Sequence, residues 1–413
     1  MKKQIVIIGG GAAGFFCALN LAQISSDADI LILEKTAKLL SKVKISGGGR
    51  CNVTHHELSI PALTQHYPRG SRFLKKAFYR FTVADTINWF ETRGVSLKTE
   101  ADGRMFPVSD QSQTIIDCFL REAAQNNIHI RMQAEVQDIV VNPTGNPRFR
   151  LSLKDGRNIP ADVVCIATGG YHKPVSGDML EQTGMNIVQP VPSLFTFNLP
   201  GHPIRALQGV SMPDVKIRIL GSSIQAEGPL LITHWGLSGP AVLRASAWGA
   251  RLLAEQQWHF DIAVQWLPDY HEESLRHLFQ QWRKDKSTQW VQGKNAFGFP
   301  TRLWNYFLET AGIANAVRWS ELPAKEQNRL VNILCGQVFS VKGKTTFKEE
   351  FVTAGGIDLK QIHPESMMSR SVPGLFFAGE VIDVDGITGG FNFQNAWTTA
   401  FIAAQGIARS GFL

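Results

Sequence analysis

The chain has 413 residues, 44% of them hydrophobic, which describes a globular protein with room for two or three domains. Its five cysteines (17, 51, 118, 165 and 335) form no C-x-x-C pair, which argues against a disulfide framework or a zinc site and suits a reducing cytoplasm. A net charge of +7 favours a polyanionic partner and says nothing about fold.

Ile5–Ile8 is an apolar, β-branched run that reads as a strand buried on both faces. It enters Gly9-Gly10-Gly11-Ala12-Ala13-Gly14, a G-x-G-x-x-G turn, and an apolar helical stretch from Phe15 to Leu21 follows. A second strand, Ile30–Leu33, ends in Glu34, twenty residues past Gly14. Strand, turn, helix, strand and acid in this register form a dinucleotide-binding fingerprint. Gly9 serves the tight turn, Gly11 lets a pyrophosphate approach, Gly14 lets helix and strand pack, and Ala12 and Ala13 open the helix N-terminus. Glu34 suits an adenosine ribose, with Lys35 beside it. Gln4–Ser26 carries no charge and follows Lys2-Lys3, superficially like a leader or anchor. Asn20, Gln23 and the fingerprint argue against that, and no other stretch is long and apolar enough to span a bilayer. The expectation is a cytoplasmic protein without membrane or metal.

Ser46-Gly47-Gly48-Gly49-Arg50-Cys51-Asn52 suits a loop whose backbone lies against the other half of the ligand. Residues 69–81 read as a helix with a basic stripe of Arg69, Arg72, Lys76 and Arg80, either a solvated face or a phosphate-backbone contact. A strand covers residues 134–139, including Val136. A meander then turns at Asp155-Gly156, and its last strand runs on to Thr168-Gly169-Gly170, a second backbone loop at the ligand edge.

From about Pro190 prolines puncture short β-like runs, and His234 stands in Thr233–Pro240. Residues 268–330 turn helical and rich in tryptophan. The opening texture returns in Leu375–Ala378, Gly379-Glu380 and Thr388-Gly389-Gly390-Phe391-Asn392, followed by a small-residue helix. Asp383 and Asp385 lack further ligands for a metal. The spacing therefore predicts an α/β protein: a Rossmann-type dinucleotide-binding domain split between 1–190 and 336–413, with a β-barrel-like insertion at 191–265 and a helical subdomain at 266–335.

Together, Gly9–Gly14 with Glu34, Ser46–Asn52, Ala167–Gly170, Thr233–Pro240, Val352–Gly356 and Phe377–Asn392 resemble the bacterial flavoproteins labelled NAD(P)/FAD-dependent oxidoreductase or aminoacetone oxidase. The resemblance spans essentially the whole chain. It implies non-covalent FAD and, in one branch, reduction of uridine to dihydrouridine in large-subunit ribosomal RNA. His55 stands where an Asn is common. With no second G-x-G-x-x-G after residue 60, NAD(P)H docks transiently as reductant. The reaction sends a hydride to C6 of an unstacked uracil and a proton to C5. Cys51, beside Arg50, and His234 are the candidate proton donors, each weighed against a structural role. The partner is ribosomal RNA or its precursor; the alternatives are a small-molecule oxidase or reductase acting on a compound such as an aminoketone, and a flavin-bound sensor.

Overall fold

The opening strand, Lys3–Ile8, pairs in parallel with Ala28–Leu33 on one side and Val163–Ile166 on the other. In the computed structural model, which describes residues 2–26, 28–171, 179–293, 295–345 and 352–412, these lie at the centre of a five-stranded parallel sheet. Leu375–Phe377 adds to one edge and His129–Arg131 to the other, so the C-terminal strand joins the N-terminal sheet. The apolar run predicted for the first strand reflects this burial, since Ile5, Val6 and Ile7 are fully inaccessible.

The chain divides into two compact units, residues 1–193 with 347–413, and residues 194–346. In the first unit, the helix Ala12–Ile24 follows the glycine turn, and the C-terminal helix Phe391–Arg409 packs beside it. Phe16 contacts Trp89 and Trp397 at ring-centroid distances of 4.6 and 5.2 Å, an aromatic core between the two helices. The predicted meander divides at Asp162. Asn158–Ala161 pairs antiparallel with Phe149–Leu153, whereas Val163–Ile166 enters the parallel sheet.

The second unit holds a seven-stranded antiparallel sheet. Its edges are Gln337–Lys342 and Lys344–Thr345, separated by Gly343 alone. Neighbouring residues are about 3.8 Å apart, so the sheet curls until its edges meet, a barrel-like form. The sheet thus runs past residue 336. The helices Glu272–Asp285, Thr301–Ala311 and Ala324–Gly336 share one apolar core with it. Trp266 packs on Phe307 and Phe339 at 5.2 and 6.4 Å. No helix among the described residues is long and apolar enough to cross a membrane.

Candidate active site

Three strand ends of the parallel sheet converge on the N-terminus of the first helix. Gly9 follows Ile8 and donates its N–H to Leu33 O at 2.8 Å. Ala167 donates to Ile8 O at 2.8 Å, and Ala378 donates to Ile166 O at 3.0 Å. This brings Thr168-Gly169 and Gly379-Glu380 to the same edge as Gly9–Gly14. The turn is as tight as its glycines require: a Cβ at Gly14 would overlap the Gly9 carbonyl oxygen, and one at Gly9 the Ala167 carbonyl. At Gly11, in contrast, a Cβ would meet nothing within 4 Å. The helix has no side-chain cap and no acid in its first turn, so its leading N–H groups face an open space suited to a diphosphate.

Glu34 folds back on this turn. Its carboxylate accepts the Gly10 N–H at 2.9 Å, the Thr36 N–H at 2.8 Å and the Thr36 hydroxyl at 2.9 Å. A carboxylate has about four lone-pair sites, which leaves one for a ribose hydroxyl. Lys35 is exposed alongside, and Val136 pairs with Leu153 at the start of a neighbouring antiparallel strand.

The Ser46–Asn52 stretch begins as a helix, Ser41–Gly49, that breaks at Ser46. Gly47, Gly48 and Gly49 then hold φ of 59°, 69° and 86°, a run of left-handed backbone that favours glycine. Leu40 ties the segment to the glycine turn by donating to Gly10 O at 2.9 Å. Lys42 reaches across to Glu380 at 2.8 Å, and Glu380 also accepts the Thr353 N–H at 2.9 Å. Asn52, with its side-chain nitrogen turned toward the Thr54 and Met105 carbonyls, accepts the Gly390 N–H at 3.0 Å. The segment therefore bridges the glycine turn and the start of the C-terminal helix. That helix also lacks a side-chain cap at Gly390. Its entry loop is closed by Asn392, which exchanges two hydrogen bonds with the Gly386 backbone at 2.8 and 2.9 Å.

Several predicted residues play other parts. Arg50 pairs with Glu100 at 2.6 Å and stacks over Phe106 at 3.9 Å, so its charge is spent away from Cys51. Burial pushes the Cys51 thiol up to about 12, with Ser46 hydrogen bonding opposing it. His234 belongs to the second unit, exposed, with its carbonyl accepting Arg205 Nε at 2.6 Å. Arg69 leaves the basic stripe: it makes a buried, bidentate pair with Asp385, whose carboxylate also accepts the Ser193 hydroxyl at 2.8 Å. The Asp385 side chain is fully buried behind these contacts. Burial pushes its carboxyl up while Arg69 and Ser193 pull it down. Arg72, Lys76 and Arg80 stay exposed on and just after the helix Ser71–Phe78. The described residues contain no group of three or more His, Cys, Asp or Glu able to hold a metal.

Two imidazoles escaped the sequence reading as a pair. His55 and His66 stack on Phe391 at 4.7 and 4.3 Å, and His55 Nδ1–H donates to Gly389 O at 3.1 Å. The Thr54-His55-His56 run beside the glycine loop could have hinted at His55, and no motif marked His66.

The description HI0933-like protein Rossmann domain matches residues 3–406. The chain belongs to this family. A ribosomal RNA dihydrouridine synthase of Escherichia coli is 32% identical, covering 98% of each chain. The corresponding protein of Haemophilus influenzae is 30% identical over 98% of this chain and 99% of its own. A 3-dehydro-bile acid delta(4,6)-reductase of Clostridium scindens is 28% identical over 98% and 99%. Among solved structures, the open form of a flavocytochrome c3 fumarate reductase matches with a TM-score of 0.52 at 18% identity. It covers 99% of this chain and 78% of that one, a likeness of fold. The protein is thus an FAD-dependent oxidoreductase with a Rossmann-type fold, and the open face at Gly11 with two uncapped helix N-termini fits that cofactor.

Proposed function

We propose that the protein reduces uridine to dihydrouridine in large-subunit ribosomal RNA, with NAD(P)H as transient reductant. The observation carrying this reading is the near full-length match to two relatives named for that reaction, at 32% and 30% identity. Bound FAD supplies the hydride. The chain's residues hold it: Gly9, Gly11, Ala12, Ala13 and Gly14 take the diphosphate, and Glu34, Lys35 and Val136 take the adenosine half. Ser46–Asn52, Thr168, Gly169, Gly379, Glu380 and Gly390–Asn392 take the flavin half. A base must leave its stack to react, so the substrate is an unpaired nucleotide presented to a basic surface.

The bile acid relative favours a second reading, reduction of a small conjugated compound. Both named reactions saturate a carbon–carbon double bond, and neither is the oxidation of an amine. Mixing the anaerobically reduced enzyme with protein-free ribosomal RNA separates the two. RNA should reoxidise the flavin and gain dihydrouridine in equal amount. Reoxidation by a steroid dienone or by oxygen, with RNA inert, would remove the RNA reading.

A further inference from the structure

The helix Ser71–Phe78 buries one face and leaves the other uncompensated. Leu74, Ala77 and Phe78 are fully buried, while Arg72, Lys75, Lys76, Tyr79 and Arg80 are exposed. At about 100° per residue these five cover one arc of roughly 140°, with Tyr79 between Lys75 and Arg72. No Asp or Glu occurs between Glu57 and Asp85, and none of the four cations forms an ion pair among the described residues. Tyr79 is 68% exposed, although a ring of that size ordinarily finds apolar cover. Four like charges around an open aromatic ring repel one another until an anion arrives.

The arc is fastened to the candidate active site. A Cβ at Gly70 would overlap the Val384 side chain, so the helix begins in close contact with the 383–385 loop. Arg69 holds Asp385 in its bidentate pair, and the Tyr67 hydroxyl donates to Phe391 O at 2.7 Å. These three contacts grip the loop that runs into the N-terminus of the C-terminal helix.

We infer that this arc docks an unpaired RNA segment, with a base stacked on Tyr79 and backbone phosphates on Arg72, Lys75, Lys76 and Arg80. The inference rests on the RNA reading above and adds the strand state and the contact residues. An exposed ring can stack only on a base whose face is free, which a duplex denies it. An anionic membrane is a poorer match, because a membrane helix inserts an exposed apolar face and here that face is buried.

Fluorescence anisotropy of the FAD-loaded enzyme with a labelled oligouridylate, and with an RNA duplex of equal length, tests this. Tyr79→Ala should weaken oligouridylate binding about 5- to 150-fold, the range of one base–aromatic stack, and Tyr79→Phe should restore it. Alanine at all four cations should lower the salt slope by about three units, at roughly 0.7 per single-strand phosphate. Duplex binding should be weaker and indifferent to Tyr79→Ala. FAD content and Tm should match wild type in every variant. Unchanged oligouridylate affinity in Tyr79→Ala, or a preference for the duplex, overturns the inference. Loss of binding to phosphatidylglycerol vesicles in the fourfold variant, with RNA binding intact, assigns the face to membranes instead. If ribosomal RNA is reduced but Tyr79→Ala binds normally, the docking face is wrong and the RNA reading stands. If wild type neither binds nor reduces RNA, both fall.

Discussion

Gly11 and Gly14 occupy the same turn, yet an added methyl group would act on them differently. At Gly14 it collides with the Gly9 carbonyl, so Gly14→Ala should destabilise the apoprotein by about 1–3 kcal/mol as well as empty it of FAD. At Gly11 it enters open space, so Gly11→Ala should cost the apoprotein under about 1 kcal/mol while still lowering FAD content. Urea unfolding of the apoproteins, beside the flavin-to-protein absorbance ratio of the purified holoproteins, measures both effects. Equal loss of stability in the two variants would remove the ligand-facing role of Gly11. Cys51 yields a pH prediction. Its thiol titrates near 9.0 when exposed and near 12 in the fold, so the folded state binds more protons between those values. Stability from this group is fully present below pH 9.0 and falls as pH rises toward 12, by about 4 kcal/mol in all. Cys51→Ala should flatten that alkaline decline in urea unfolding; an unchanged slope would place the thiol in contact with water.

At the scale of elements, the helix Ser71–Phe78 depends on a pair that no local pattern announces. Arg69 and Asp385 lie 316 positions apart, so the stripe read from helical spacing took a structural arginine for a surface one. Arg69→Ala strands a buried carboxylate and should cost about 3–5 kcal/mol in urea unfolding. Arg69→Lys should recover little, since an ammonium cannot form both bonds of the fork. Recovery to wild-type stability by lysine would mean that charge alone matters there. By contrast, the glycine turn, the Glu34 strand end and the Leu375–Phe377 strand were legible, because each is written in consecutive residues whose spacing carries the chemistry. The break at Asp162 was not legible. Residues 159–161 and 163–166 are apolar on either side of it, and only pairing with different neighbours separates the two strands. The surroundings of Cys51 were hidden for a related reason: sequence put Arg50 next to it, and the fold sent the guanidinium to Glu100 and Phe106.

At the scale of the molecule, the first unit assembles the candidate FAD site from segments drawn from both ends of the chain. The second unit hangs a barrel-like sheet and three helices on one core. The strands and helices of that insertion were each visible as texture, and their common core was not, because the tryptophans that join them are scattered from 266 to 319. The net charge of +7 takes on meaning through its distribution, with four cations that form no ion pair among the described residues on and just after one helix, which is bolted to the loop leading into the C-terminal helix. The central claim is that this flavoenzyme saturates uridine in ribosomal RNA. Mass-spectrometric mapping of dihydrouridine in large-subunit RNA, from cells with and without the gene and from cells complemented with Gly11→Ala, tests it most directly. The account predicts at least one site that disappears on deletion, returns with the wild-type gene and fails to return fully with the variant. An unaltered dihydrouridine map in the deleted cells would contradict it.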